Sequence, residues 1–90
     1  MRLDVLLFEL RLFKSRSQAT AAVQEGRVLL NGARTKPGHE GRAGDRVTLR
    51  EVREGGMERS RTLEVLALPG GSLSKAAARE LVRDVQPGLD

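Results

Sequence analysis

The chain has 90 residues, 39% of them hydrophobic, with no cysteine and two aromatic residues, Phe8 and Phe13. That length supports one modest core of Leu, Val and Ala, and the composition excludes disulfides and any Cys-based zinc site. The net charge is +4 and unevenly spread: residues 1–50 hold ten Lys/Arg against five Asp/Glu, and residues 51–90 hold six against seven.

A basic half joined to a near-neutral half points to a surface that meets a polyanion. The apolar run Val5-Leu6-Leu7-Phe8 is bounded by Asp4 and Glu9, too short for a secretory signal. No segment approaches the ~20 apolar residues of a membrane span. The reading is a soluble, cytoplasmic protein with no membrane partner.

In chain order, Leu3, Leu6, Leu7 and Leu10 fall at i, i+3, i+4, i+7 and predict a helix over residues 3–12. Ser15-Arg16-Ser17-Gln18 has the capping-box pattern and predicts a second helix over 16–25, with Gly26 as its left-handed terminator. Residues 27–31 read as a strand, and Asn31-Gly32 is a hairpin-turn signal. A short return over 34–36 is stopped by Pro37-Gly38, and Gly44-Asp45 makes a second turn.

Residues 46–52 read as a strand with Val47 and Leu49 on one face, and 54–60 as a polar loop. The alternation of Leu63, Val65 and Ala67 predicts a strand over 61–68, broken by Pro69-Gly70-Gly71. Ser72 or Ser74 would cap a final helix reaching Val85, and Pro87-Gly88 would end the ordered chain. Strands joined by such short turns pair antiparallel. The expected class is α+β: two N-terminal helices packed on a small, mostly antiparallel sheet, plus a C-terminal helix, in one domain over 1–90.

The chemistry concentrates near the second helix. Arg11, Lys14 and Arg16 bracket its start, Ser15 and Ser17 add hydroxyls, and its first N–H groups point outward. This donor arrangement suits phosphate. Arg27, Arg34 and Lys36 follow on the strand and turn, and all six cations form one patch if that turn folds beside the helix start. Both Phe residues read as core, and no aromatic run, GXXG loop or zinc finger is present, which favours reading of backbone and shape in structured RNA. DNA is disfavoured because the second helix is short and Ala-rich, unlike a major-groove reader.

Lys75, Arg79 and Arg83, spaced i, i+4, i+8 opposite Leu73, Ala77 and Leu81, read as the solvated face of an amphipathic helix. No nucleophile motif or P-loop is present, and His39 reads as a loop residue, so neither an enzyme, a cofactor nor a metal site is expected. The competing readings are a protein-interaction module whose charge serves solubility and a general binder of structured RNA.

The ordered series Arg2-Leu3-Asp4, Arg11-Leu12-Phe13-Lys14-Ser15-Arg16-Ser17, Gly26-Arg27-Val28, Asn31-Gly32, Lys36-Pro37 and Gly44-Asp45 resembles the ribosomal-protein-S-four RNA-binding domain, or alpha-L motif. The pattern covers residues 2–50, leaving 51–90 as a strand and C-terminal helix extension. That extension resembles the heat-shock protein 15 family. The resemblance implies binding of ribosomal RNA on large subunits that carry a stalled nascent chain and its tRNA, in rescue or quality control of translation. It also adds Arg2, Ser17 and Asn31 to the RNA-binding set of Arg11, Lys14, Ser15, Arg16, Gln18, Arg27, Arg34 and Lys36.

Overall fold

The computed structural model describes residues 1–52, 54–71 and 73–85. Helix α1 spans Leu3–Glu9 and helix α2 spans Arg16–Gln24. The α1 stripe of Leu3, Leu6, Leu7 and Leu10 is buried, as its spacing predicts. The helix stops short of residue 12 because Arg11 turns left-handed, with φ 63°. The Arg11 N–H then donates to the Phe8 carbonyl at 2.9 Å and the Leu12 N–H to the Leu7 carbonyl at 3.1 Å, the paired bonds of a Schellman terminator. A side chain in that conformation costs about 1 kcal/mol relative to glycine. Helix α2 ends in the same motif, here with Gly26 at φ 76°.

The four described strands are β1 (Val28–Leu30), β2 (Arg46–Val52), β3 (Glu58–Val65) and β4 (Val82–Val85). They form one antiparallel sheet in the order β1-β2-β3-β4. The fold is therefore α+β. Asn31 and Gly32 both take positive φ, 51° and 83°, which is the primed turn that matches strand twist. The expected return over 34–36 forms no strand; β1 pairs instead with β2, Val28 facing Leu49 and Leu30 facing Val47. The freed segment crosses to the start of α1. There the Leu3 N–H donates to the His39 carbonyl at 2.8 Å and the Asp4 N–H to the Pro37 carbonyl at 3.1 Å. These bonds satisfy N–H groups that a helix start leaves open.

The second half departs further from its sequence pattern. β3 begins at Glu58, inside the expected polar loop, and ends at Val65, so Leu66, Ala67 and Leu68 lie beyond it and are exposed. Residues 58–61 are exposed on the outer end of the β2–β3 hairpin, where no buried face exists to impose alternation. Helix α3 is only Lys75–Arg79, capped by Ser74 accepting from the Ala77 N–H at 3.2 Å. The expected helix to Val85 is replaced by β4, whose Val82 and Val85 are β-branched and whose Arg83 pairs across the ladder with Glu64. Ser72, the alternative cap, and Pro87-Gly88 lie outside the described residues.

The core sits between the two helices and one sheet face. It joins the α1 leucines, Ala19, Ala22 and Val23 of α2, and Val28, Leu30, Val47, Leu49, Leu63 and Val65. Phe8 and Phe13 are only half-buried, so neither is a core centre. Gly41 is buried under α1: a Cβ there would lie 2.6 Å from the Leu6 Cδ2. Leu6 is fully enclosed, so its methyl can yield only by displacing core neighbours. Gly41→Ala is expected to lower stability by about 1–3 kcal/mol through overpacking, read as a lower midpoint in urea with an unchanged m-value.

Candidate nucleic-acid interface

The start of α2 is built by local chemistry. Ser15 Oγ accepts from the Gln18 N–H at 3.1 Å, and Gln18 Oε1 accepts from the Lys14 N–H at 3.2 Å. The capping box thus forms one residue off: Gln18 reaches the residue before the cap, not the cap itself. The N–H groups of Arg16 and Ser17 donate to no acceptor among the described residues, and they sit at the positive end of the helix dipole. Ser17 is exposed beside them.

A groove opens next to this helix start. Lys14, Gln18, Arg27, Arg50 and the acidic Glu51 line it above a wall containing Leu12 and Phe13. The Arg50 N–H donates to the Arg27 carbonyl at 2.8 Å, which sets two arginines beside each other at the β1–β2 junction. Like charges placed this way repel. Each is balanced by one carboxylate, Arg27 by Glu25 at 2.9 Å and Arg50 by Glu58 at 2.6 Å, while Lys14 makes no ion pair among the described residues.

On the other flank, Asp4 organises a second group. Its carboxylate is 1% exposed. It accepts from Arg2 Nε and Nη2 at 3.1 Å each, from Thr20 Oγ1 at 2.9 Å and from the Val5 N–H at 2.8 Å, with Arg16 Nε 3.9 Å away. Burial pushes the Asp4 carboxyl up. The bonds from Arg2, Thr20 and Val5, together with the Arg2 charge, outweigh it and hold the group below the usual carboxylate range. One buried anion thereby holds the Arg2 guanidinium in a two-point pair and draws Arg16 to within 3.9 Å, and both remain half-exposed to solvent, 54% for Arg2 and 56% for Arg16. Lys36 lies in the segment that docks on this corner, where the Arg2 guanidinium packs against Gly38.

The remaining sequence-selected residues lie elsewhere. Arg34 lays its guanidinium over Gly26 and donates Nη2 to the Gln24 carbonyl at 3.4 Å, at the negative end of α2. Asn31 uses both ends of its amide internally, Nδ2 donating to Asp45 at 3.2 Å and Oδ1 accepting from the Arg46 N–H at 2.9 Å. Arg11 faces the opposite way, donating Nε to the Leu73 carbonyl at 2.8 Å. The six cations therefore do not form one patch. Lys14 and Arg27 share the groove, Arg16 and Lys36 flank it on the Asp4 side, and Arg11 and Arg34 point away.

Sequence reasoning missed Arg50 and Phe13. Arg50 joins the groove through a strand pairing between residues far apart in the chain. Phe13 continues the spacing of the α1 leucines and so reads as core, but α1 has ended before it arrives.

Two helices docked on a small antiparallel sheet, with Lys14, Arg27, Arg50 and Glu51 lining a groove beside the second helix start, define a small α+β module whose open helix-start N–H groups can donate to an anion. The S4 domain model matches residues 1–47, and the chain belongs to the S4-domain family. Its fold is similar to that of heat-shock protein 15 from Vibrio cholerae, solved as a trimer: TM-score 0.80 at 32% identity, covering 94% of this chain and 81% of that one. Curated relatives from Listeria innocua and Listeria monocytogenes, each named RQC P-site tRNA stabilizing factor, are 40% identical over 50 residues. That match takes in 56% of this chain and 54% of theirs, so the chain spans about half the length of the curated relatives it matches. No helix among the described residues is long and apolar enough to cross a membrane.

Proposed function

We propose that this chain binds structured ribosomal RNA on the large subunit, acting where a stalled nascent chain still carries its tRNA. The observation that carries the reading is the convergence of open N–H groups at the α2 start with Lys14 and Arg27 on one side and the Asp4-held Arg2 and its neighbour Arg16 on the other. Phosphate oxygens accept from all of these donors, and the helix dipole favours their charge. The family membership and the names of the Listeria relatives support the ribosomal setting.

In this reading Lys14, Arg16, Arg27, Arg2 and Lys36 contact the sugar–phosphate backbone, with the Ser17 hydroxyl as a further donor. Ser15 and Gln18 hold the helix start open, and Arg34 and Asn31 brace the turn behind it. Phe13 offers an edge or face to a sugar or an unstacked base at the groove wall. Sequence discrimination is then weak, and selection comes from RNA shape and from the particle.

Sedimentation with purified subunits tests the setting. The protein is expected to pellet with large subunits, more strongly when they carry peptidyl-tRNA, and to leave them at high salt. Equal pelleting with large and small subunits would leave a general structured-RNA binder. Pelleting with neither, alongside capture of a protein partner, would instead favour the interaction-module reading.

A further inference from the structure

A second basic hollow lies on the far side of Leu12 from the groove. Arg11, Arg61, Lys75 and Arg79 line it together with Leu10 and Val82. Three separate elements supply its charges: the left-handed turn after α1, the middle of β3, and α3. Arg61 is paired with Asp84 at 2.9 Å, whereas Arg11, Lys75 and Arg79 make no ion pair among the described residues. Four cations thus share one hollow, with Arg61 facing Asp84 as its ion-pair partner and Glu51 as a second nearby carboxylate.

The sequence pattern assigned Lys75, Arg79 and Arg83 to one solvated helix face. The structure divides that set. Arg83 lies on β4, turned onto Glu64, while Lys75 and Arg79 line the hollow with Arg11. Arg11 occupies the left-handed position where glycine is cheaper, and its guanidinium is oriented by the Leu73 carbonyl just before α3. The first groove and this hollow both include Leu12 in their walls, so the two are neighbours on either side of that residue.

We propose that this hollow is a second phosphate-binding subsite, taking the sugar–phosphate backbone of the same RNA as it runs past Leu12 toward α3. The proposal rests on the reading of the chain as an RNA binder and extends its footprint from the S4 core into the C-terminal half. Its spread of cations over three elements suits an extended backbone, and among its lining residues no aromatic ring is present to clamp a single nucleotide.

The test is filter binding of the full chain to purified large-subunit ribosomal RNA over a salt series. Lys75→Gln with Arg79→Gln is expected to weaken binding about 10- to 40-fold at 0.1 M salt and to make the log–log salt slope shallower by about 1.5. Arg11→Gly keeps the turn, since glycine favours that backbone, and is expected to weaken binding several-fold as a second, fold-preserving probe. If folded variants at Lys75, Arg79 and Arg11 bind as tightly as the parent, while loss of Lys14 and Arg16 weakens binding, the second subsite is wrong and the first groove stands. If neither set weakens binding, the RNA reading fails with it.

Discussion

Replacing Lys14 and Arg16 together by alanine is expected to weaken binding to large-subunit ribosomal RNA about 30-fold at 0.1 M salt while the domain stays folded. Each phosphate contact releases about 0.7 counterion on a single strand and 0.9 on a duplex, so two lost contacts amount to between one and two orders of magnitude at this salt. The fold survives because neither side chain carries the core. Lys14 contributes its backbone N–H to the Gln18 cap, and alanine retains that N–H. Arg16 stands 3.9 Å from Asp4, which keeps Arg2 and Thr20 as partners when Arg16 is gone. Arg34→Ala is the contrasting control: its guanidinium covers the end of α2, so stability should fall more than affinity. Filter binding beside a thermal melt separates the two effects.

Replacing Asp4 by asparagine is expected to lower stability by about 2 kcal/mol at neutral pH, since charged hydrogen bonds at a buried carboxylate are each worth about 1.5–3 kcal/mol and an amide recovers part of them. For a chain of this size that is a fall of about 10 °C in Tm. The effect has a defined pH dependence. The folded Asp4 carboxyl titrates below its unfolded value, so its stabilisation is complete above the unfolded value of about 3.9 and is lost as pH falls through the folded one. Melts of the parent and of Asp4→Asn should differ fully at pH 7 and converge in acid below about pH 4. A constant gap down to pH 2 would mean that the carboxylate charge is not the source.

The parts of the fold legible in the sequence are those whose causes are local. The α1 leucine spacing, the Ser15 cap, the Gly26 terminator and the Asn31-Gly32 turn each act within a few residues, and each forms where the pattern places it. The C-terminal half obeys non-local partners. Lys75, Arg79 and Arg83 keep helical spacing on paper, but Val82 and Val85 gain more by pairing with β3, and a pattern along one chain does not reveal a vacant strand edge. The return over 34–36 gave way for the same reason, because β2 supplies the longer partner for β1.

The site divides along the same line. The helix-start donors were visible because capping is local. The grouping of the cations was not, since it depends on where the chain turns and pairs: Arg11 turns left-handed and donates to the Leu73 carbonyl just before α3. Arg50 entered the groove through strand pairing, and Arg34 left the set by folding back onto Gly26. Conversely, Asp4 looks like an ordinary first-turn acid in the sequence, yet it is the buried anchor that aims Arg2. Its signal was the Arg2-Leu3-Asp4 spacing, which allows the bidentate pair to form around the helix start.

The claim that binding runs through phosphate contacts at the α2 start is tested most directly by the salt dependence of affinity for large-subunit ribosomal RNA. Four to six neutralised phosphates predict a log–log slope of about −3 to −4 for the parent chain on the single-strand coefficient, shallower by about 1.5 in the Lys14 and Arg16 double variant. A flat response in the parent, or an unchanged slope in the folded variant, would contradict it.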